Sequence, residues 1–213
     1  MQTKIVKLEN DMEKLAKAVE QCAGVIKKGG IVAYPTETSY GLGCDATNVS
    51  ALKKIYAIKG RDEDKPLPII VSDLRMAEEH CVVTDKARKL VRAFMPGPLT
   101  VVVEKKSSLP DELSPKEKGV AFRISNKEFA RLLAQESEVP IVSTSANLSG
   151  KMPIYKFDEL KETFSGKVEA IVDGGNLPPV RPSTIIDLRG HSPVVVREGP
   201  LSAQDVLHEL SEA

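Results

Sequence analysis

The sequence has no tryptophan, and phenylalanine and tyrosine together supply only 4% of its 213 residues. Readers of single-stranded RNA stack bases on aromatic side chains, so this shortage weighs against such a module. Net charge is missing too, because 30 Lys and Arg residues balance 30 Asp and Glu. No overall field draws a polyanion, and any anion site has to come from local clustering. Cysteine and histidine are sparse: Cys22, Cys44 and Cys81 form no C-x-x-C pair, and His80, His191 and His208 are as scattered. That pattern predicts reduced thiols, a cytoplasmic setting, no disulfide framework and no metal held by protein ligands. No apolar run approaches the roughly 18 residues of a membrane span, and Met1 to Glu9 lacks a signal-peptide core. What is present is a chain 41% hydrophobic and expected to be soluble. It is long enough for one sizeable core, and a single domain over 1–213 is expected.

Apolar periodicity predicts alternating helices and strands. Asn10 with Glu13 can open a helix whose Leu15, Val19, Ala23 and Ile26 share a face and which Lys27, Lys28 and Gly29 close. Further helices are expected around Leu52 and Ile55 (capped by Asn48 or Ser50 and ending at Lys59 and Gly60), near Met76 (capped by Ser72), and at Leu90 (capped by Thr84). Others are expected at Phe129 (capped by Asn126), around Leu160, and after Ser202 and Asp205. Strands are expected over 31–33, 67–71, 99–103, 120–124, 141–142, 168–172, 185–188 and 193–197. Pro68 marks its strand as an edge or a strand beginning. The polar stretch 105–118 reads as a mobile loop of lid length. Strands alternating with helices indicate α/β architecture. Neighbouring strands near 168–197 add antiparallel parts, so the expected fold is a twisted mixed parallel/antiparallel open sheet with flanking helices.

Two hydroxyl-rich turns follow apolar runs. Pro140 to Gly150 reads P-I-V-S-T-S-A-N-L-S-G, and Thr36 to Gly43 reads T-E-T-S-Y-G-L-G. Small side chains and freed backbone N–H groups at strand ends can surround a phosphate or carboxylate. The same residues also serve as local caps, with Gly41 and Gly43 supplying backbone geometry. Lys59, Arg61 and Lys65 form the densest cation group beside a strand end, offset by Asp62, Glu63 and Asp64, which could also meet magnesium through water. Alternation puts Arg123 on the face of Ala121, opposite Phe122. A buried arginine there needs a carboxylate or phosphate, whereas an exposed edge would remove that need. Lys86, Arg88, Lys89 and Arg92 read as a solvated face or as a weak RNA-contacting surface.

Taken in order, G-G-I-V-A-Y-P-T-E-T-S-Y-G-L-G from Gly29, Lys59-Gly60-Arg61, Phe122-Arg123-Ile124, Ser145-Ala146-Asn147-Leu148-Ser149-Gly150 and Pro182-Ser183-Thr184 resemble the YrdC-like threonylcarbamoyl-AMP synthases. The resemblance covers about the whole chain. It implies a twisted sheet with a concave, cation-lined cavity and a nucleotidyltransferase that makes threonylcarbamoyl-AMP and pyrophosphate from L-threonine, bicarbonate and ATP with Mg2+. A downstream tRNA-modifying enzyme complex would take the product. Carried over residue by residue, Thr36, Arg123, Ser143 and Ser183 match L-threonine positions. Lys59, Arg61, Lys65, Ser145, Asn147 and Arg197 match the nucleotide site, with Lys59, Arg61, Ser145 and Asn147 closest to the chemistry. Ile70 stands where many relatives have a histidine that touches threonine, and Pro153 where a serine is common. The alternative of another class is a non-catalytic module that grips tRNA or rRNA.

Overall fold

The computed structural model describes residues 2–9, 11–116 and 118–211. Its strands are β1 (Lys4–Lys7), β2 (Val32–Pro35), β3 (Tyr40–Gly43), β4 (Ile69–Ile70), β5 (Leu99–Glu104), β6 (Gly119–Arg123), β7 (Ile141–Val142), β8 (Thr144–Ser145), β9 (Ala170–Asp173), β10 (Thr184–Asp187) and β11 (Val194–Arg197). Its helices are α1 (Met12–Lys27), α2 (Val49–Lys59), α3 (Leu74–His80), α4 (Asp85–Phe94), α5 (Glu128–Ser137), α6 (Phe157–Phe164) and α7 (Ala203–Ser211). The mixed α/β expectation holds, but the strands form two sheets. One runs β1-β9-β2-β3-β8 and the other β11-β10-β5-β6-β4-β7. Both mix parallel and antiparallel pairs, such as β2 parallel to β9 but antiparallel to β3, and β5 parallel to β10 but antiparallel to β6.

The division into two sheets happens at the stretch Pro140 to Gly150. Rather than one buried strand delivering its carboxyl end to a pocket, β7 is a two-residue edge of the second sheet and β8 a two-residue edge of the first. Ser143 lies between them. Its backbone N–H donates to Pro68 O at 2.8 Å, and the next residue, Thr144, pairs with Leu42 of β3. One short segment thus joins the two sheets, with a small polar side chain at the joint. The buried apolar residues form one cluster from Val6 to Val206 that includes both sheets and the inner faces of the helices. Burying them supplies the main driving force for this arrangement.

Local signals account for most helix ends, with three corrections. Asn48 and Thr84 cap α2 and α4 as expected, accepting from Ala51 N and Ala87 N. Asn10 lies outside the described residues, and the α1 cap is Asp11, whose carboxylate accepts from Lys14 N at 2.9 Å. Asp73, not Ser72, caps α3; Ser72 turns its hydroxyl toward the Met76 sulfur instead. Asn126 is exposed and caps nothing: α5 starts after Lys127, whose N–H donates to Ser125 Oγ at 3.1 Å. Pro68 does precede a strand, but β4 lies inside its sheet, between β6 and β7.

The stretch 105–118 is packed, not free. Leu109 and Leu113 are buried, Leu67 N donates to Leu113 O, and Tyr56 Oη donates to Glu112 O at 3.1 Å. Two leucines in a polar run are enough to anchor it. No helix among the described residues is long and apolar enough to cross a membrane, and the three cysteines are free and buried.

Gly43 shows what the glycines of the β2–β3 hairpin are for. Its φ is not positive. A β-carbon there would stand 2.6 Å from Tyr34 Cε1, 2.8 Å from Ile141 Cγ2 and 3.0 Å from Val142 O, so the requirement is space where the two sheets meet. Gly43→Ala is expected to destabilise the fold by about 1–3 kcal/mol, the usual range for overpacking, read as a lowered urea midpoint. An unchanged midpoint would mean that the Tyr34 ring moves aside freely.

Candidate active site

Between the sheets lies a cavity of about 710 Å³. Its floor is one face of β5, β6 and β10, where alternation presents Thr100 and Val102, then Ala121 and Arg123, then Ile185 and Asp187. Its walls come from the Thr36–Ser39 hairpin turn, the Ser143–Ser145 joint and β11. Among the described residues, four arginines line it, Arg61, Arg123, Arg189 and Arg197, against one carboxylate, that of Asp187.

Seven of the ten residues singled out from the sequence line this cavity: Thr36, Arg61, Arg123, Ser143, Ser145, Ser183 and Arg197. The chain brings them from separate elements to one place. Thr36 Oγ1 donates to Ser39 O at 2.7 Å and sits 3.0 Å from Thr38 Oγ1, which fixes the hairpin turn. Ser183 Oγ is 2.8 Å from Thr100 Oγ1. Arg197 donates from Nε and Nη2 to Ser183 O at 3.0 and 2.8 Å, tying β11 to that serine. Burial, and then the charge of Arg123, push the Arg197 guanidinium below its ordinary value. Arg61, which also lines the cavity, donates to Pro66 O at 3.0 Å.

Arg123 is buried and paired, the first of the two alternatives the sequence left open, and its partner is in the protein. Its Nη1 lies 2.6 Å from Glu37 Oε1, the two side chains being 10% and 12% exposed, and Ser125 Oγ donates to the other Glu37 oxygen. Glu37 is the site residue that the sequence reading passed over. It lies between two hydroxyl residues in the hairpin turn and had the one visible cue, a carboxylate in a run otherwise made of small neutral groups. A guanidinium has five N–H donors, so one edge can be held by Glu37 while another faces the cavity.

Lys59, Lys65 and Asn147 do not line the cavity. Lys65 is exposed, and its carbonyl accepts from Tyr56 Oη. Lys59, at the end of α2, is 2% exposed and donates to Ser145 O, to Asn147 O at 2.9 Å and to Asn147 Oδ1 at 3.1 Å. Asn147 Oδ1 also accepts from Ser145 Oγ at 2.6 Å, and its Nδ2 donates to Leu148 O and Lys151 O. The ammonium is the hub around which the 145–151 loop folds, so the K-x-R and S-x-N pairs meet through Lys59 rather than as separate ligands. Ile70 is fully buried and pairs with Arg123 across β4 and β6, while Pro153 lines the cavity.

Burial, reinforced by the neighbouring Arg61 charge, pushes the Lys59 ammonium down to about 8. The native protein then releases this proton more readily than the unfolded chain. Between about pH 8 and the ordinary lysine range the unfolded state holds more protons, so stability rises with pH across that window. Loop order moves the other way, because the neutral amine has one donor fewer for three acceptors. A loop-dependent activity is therefore expected to fall above pH 8 while the urea midpoint rises. A rate profile flat to pH 10 would remove the ammonium from the loop's support.

Comparison with known proteins places this arrangement. A family model, Sua5_yciO_yrdC, described as "Telomere recombination", matches residues 24–199. The chain is 38% identical over 191 residues to a threonylcarbamoyl-AMP synthase of Pyrococcus abyssi, covering 89% of this chain and 56% of that protein. It is 36% identical over 205 residues to a putative threonylcarbamoyl-AMP synthase of Methanocaldococcus jannaschii, covering 96% of this chain and 97% of that one. The crystal structure of P. abyssi Sua5 complexed with L-threonine superposes with a TM-score of 0.90 at 35% identity, over 100% of this chain and 62% of that chain. The chain thus spans less than two thirds of the two P. abyssi proteins. The motifs, the cavity they line and these likenesses agree: the chain belongs to the Sua5/YciO/YrdC family.

Proposed function

We propose that the cavity joins L-threonine, bicarbonate and ATP into threonylcarbamoyl-AMP, with release of pyrophosphate. The observation that carries this reading is the meeting, in one cavity, of Thr36, Arg123, Ser143 and Ser183 with Arg61, Ser145 and Arg197. An amino acid needs a guanidinium for its carboxylate and small hydroxyls for its polar atoms, while a polyphosphate needs cations not already spent on carboxylates. Arg61 and Arg197 donate to backbone carbonyls, which leaves their charge available to phosphate oxygens. A related protein, P. abyssi Sua5, has been solved in complex with L-threonine.

In this reading the open edge of Arg123 holds the threonine carboxylate, with Glu37 fixing the guanidinium from behind. Bicarbonate gives carbon dioxide by losing hydroxide, and the free amine of threonine captures the carbon dioxide as a carbamate, releasing a proton that joins that hydroxide as water. A carbamate oxygen then attacks the α-phosphorus of ATP, the bond from that phosphorus to the bridging oxygen breaks, and pyrophosphate leaves. The nucleophile comes from the substrate, so the protein's work is to hold two anions together and offset charge growing on the leaving group. Positioning of this kind can supply roughly 7–11 kcal/mol of barrier reduction. Arg61 and Arg197 provide the charge, and the Lys59-centred loop holds Ser145 against the substrate. Magnesium enters with ATP as its substrate complex and neutralises the phosphates. A cytoplasmic setting and transfer of the product to a tRNA-modifying enzyme complex belong to the same proposal.

The RNA-gripping alternative has less to stand on. On α4, Arg88 pairs with Glu78, Lys89 lies 4.0 Å from Glu209 and Lys86 donates to His191 O, so much of that basic face is already engaged. Pyrophosphate release from ATP, magnesium and bicarbonate, measured with and without L-threonine, separates the two. Release that requires threonine is expected. Tight RNA binding with no threonine-dependent release would replace the synthase reading.

A further inference from the structure

The end of the cavity farthest from Arg123 holds a pair that the assignment above leaves unused. Asp187 closes β10, and Arg189 follows two residues later; both line the cavity. Arg189 Nε donates to Asp187 Oδ1 and Oδ2 at 3.0 and 3.1 Å, and Nη2 donates to Oδ2 at 2.6 Å. The Arg189 backbone N–H adds a further bond to Oδ1 at 3.0 Å. Two adjacent donors, Nε and Nη2, engage the carboxylate along one edge of the guanidinium and fix its orientation, which a single contact would not do.

The guanidinium rests against Gly119, the first residue of β6. A β-carbon at Gly119 would lie 2.6 Å from Arg189 Nη1 and 2.9 Å from Cζ, so the planar cation occupies the space a side chain would take. Gly119, Ala121 and Arg123 share the cavity face of β6, and four residues of strand separate the first from the last. That is about 13 Å at the usual rise per residue. Between the two ends the floor is apolar, formed by Ala121, by Val102 paired across from it, and by Ile185.

An apolar floor ending in a braced, planar cation matches the flat face of an aromatic ring. It is a weaker match to a phosphate than Arg61 and Arg197 are, because Asp187 offsets the Arg189 charge, whereas those two donate to carbonyls. We propose that Asp187 and Arg189, seated on Gly119, form the platform that receives the purine base of the nucleotide. Arg189 stacks on the base, and Asp187 keeps the guanidinium in place. This rests on the adenylating reading and adds to it a determinant of which nucleotide is accepted. Purines are favoured over pyrimidines because the larger ring covers more of the platform and floor.

The test is calorimetric binding of ATP, CTP and pyrophosphate to the wild-type protein and to three variants, with pyrophosphate release measured in parallel. Arg189→Ala removes the platform. Arg189→Lys keeps a charge for Asp187 without the plane. Gly119→Ala displaces the guanidinium while both charged residues remain. Wild type is expected to bind ATP about tenfold tighter than CTP, within the range that one stacked base contributes. Each variant is expected to lose about tenfold in ATP affinity, to approach its CTP affinity, and to keep pyrophosphate affinity within about twofold. ATP affinity unchanged in all three variants would overturn the platform while wild-type turnover left the synthase reading standing. Equal losses of ATP and pyrophosphate affinity would overturn it in favour of a phosphate contact. Wild-type protein that binds no nucleotide and releases no pyrophosphate would overturn both.

Discussion

Arg123→Ala is expected to raise the threonine concentration for half-maximal turnover about 30-fold or more and to leave the ATP requirement near wild type. Truncating one member of a buried, hydrogen-bonded charge pair costs about 2–5 kcal/mol, and about 1.4 kcal/mol is a factor of ten. The guanidinium is placed for the amino acid because Thr36, Ser143 and Ser183 line the same cavity and supply the small hydroxyls an amino acid needs. The substitution also strands Glu37, whose other oxygen is held by Ser125. An unpaired buried carboxylate is destabilising by itself. Arg123→Ala combined with Glu37→Gln removes that burden and is expected to keep the threonine defect while recovering the urea midpoint. A defect equal for threonine and ATP would move Arg123 out of the amino-acid end. Glu37→Gln alone is expected to give a smaller threonine defect, because the guanidinium stays but loses its brace.

Lys59→Ala is expected to reduce turnover about 100-fold or more, comparable to losing a preorganised donor at the reacting centre. Its effect is exerted through the loop. Without the ammonium, Asn147 O loses its donor, at about 1–3 kcal/mol for an unsatisfied acceptor, while Ser145 O and Asn147 Oδ1 keep only donors from within the loop, Asn147 N and Ser145 Oγ. Ser145, which lines the cavity, would keep its β8 pairing with Gly41 but lose the tie between its carbonyl and α2. Lys59→Arg is expected not to rescue, since a planar fork cannot replace a point donor buried among three converging acceptors. Near-normal turnover in Lys59→Ala would show that the loop holds its shape without it. Arg61→Ala, by contrast, removes a cation at the cavity rim and is expected to act on the phosphates directly.

Much of this was legible in the sequence where the signal is local. Asn48 and Thr84 cap their helices because a side-chain oxygen three residues before an N–H is a local geometry. Arg123 was placed correctly by alternation alone, since Phe122 on the opposite face is fully buried. What stayed hidden depends on distant pairing. Nothing in Ile141 to Ser145 announces that two residues belong to one sheet and two to another, because their partners, Ile69 and Ile70 on one side and Gly41 and Leu42 on the other, lie about 70 and 100 positions away. Lys59 looked like a phosphate ligand because clustered cations beside a strand end suggest an anion. Its burial became visible only when the 145–151 loop was folded over it. Ser72 and Asn126 failed as caps for a nearer reason: Asp73 was better placed by one residue, and α5 starts one residue later than expected, after Lys127, with no side-chain cap. The 105–118 stretch misled by composition, where two leucines outweigh ten polar neighbours.

The most direct test is to supply the wild-type protein with L-threonine, ATP, magnesium and 13C-bicarbonate and to examine the adenylate it forms by mass spectrometry. The expected species carries AMP and threonine in one molecule and gains one mass unit from the labelled carbon, with one pyrophosphate released for each. AMP joined to threonine without the labelled carbon, or AMP and pyrophosphate formed with no threonine attached, would contradict carbamate attack on the α-phosphorus as the reaction of this cavity.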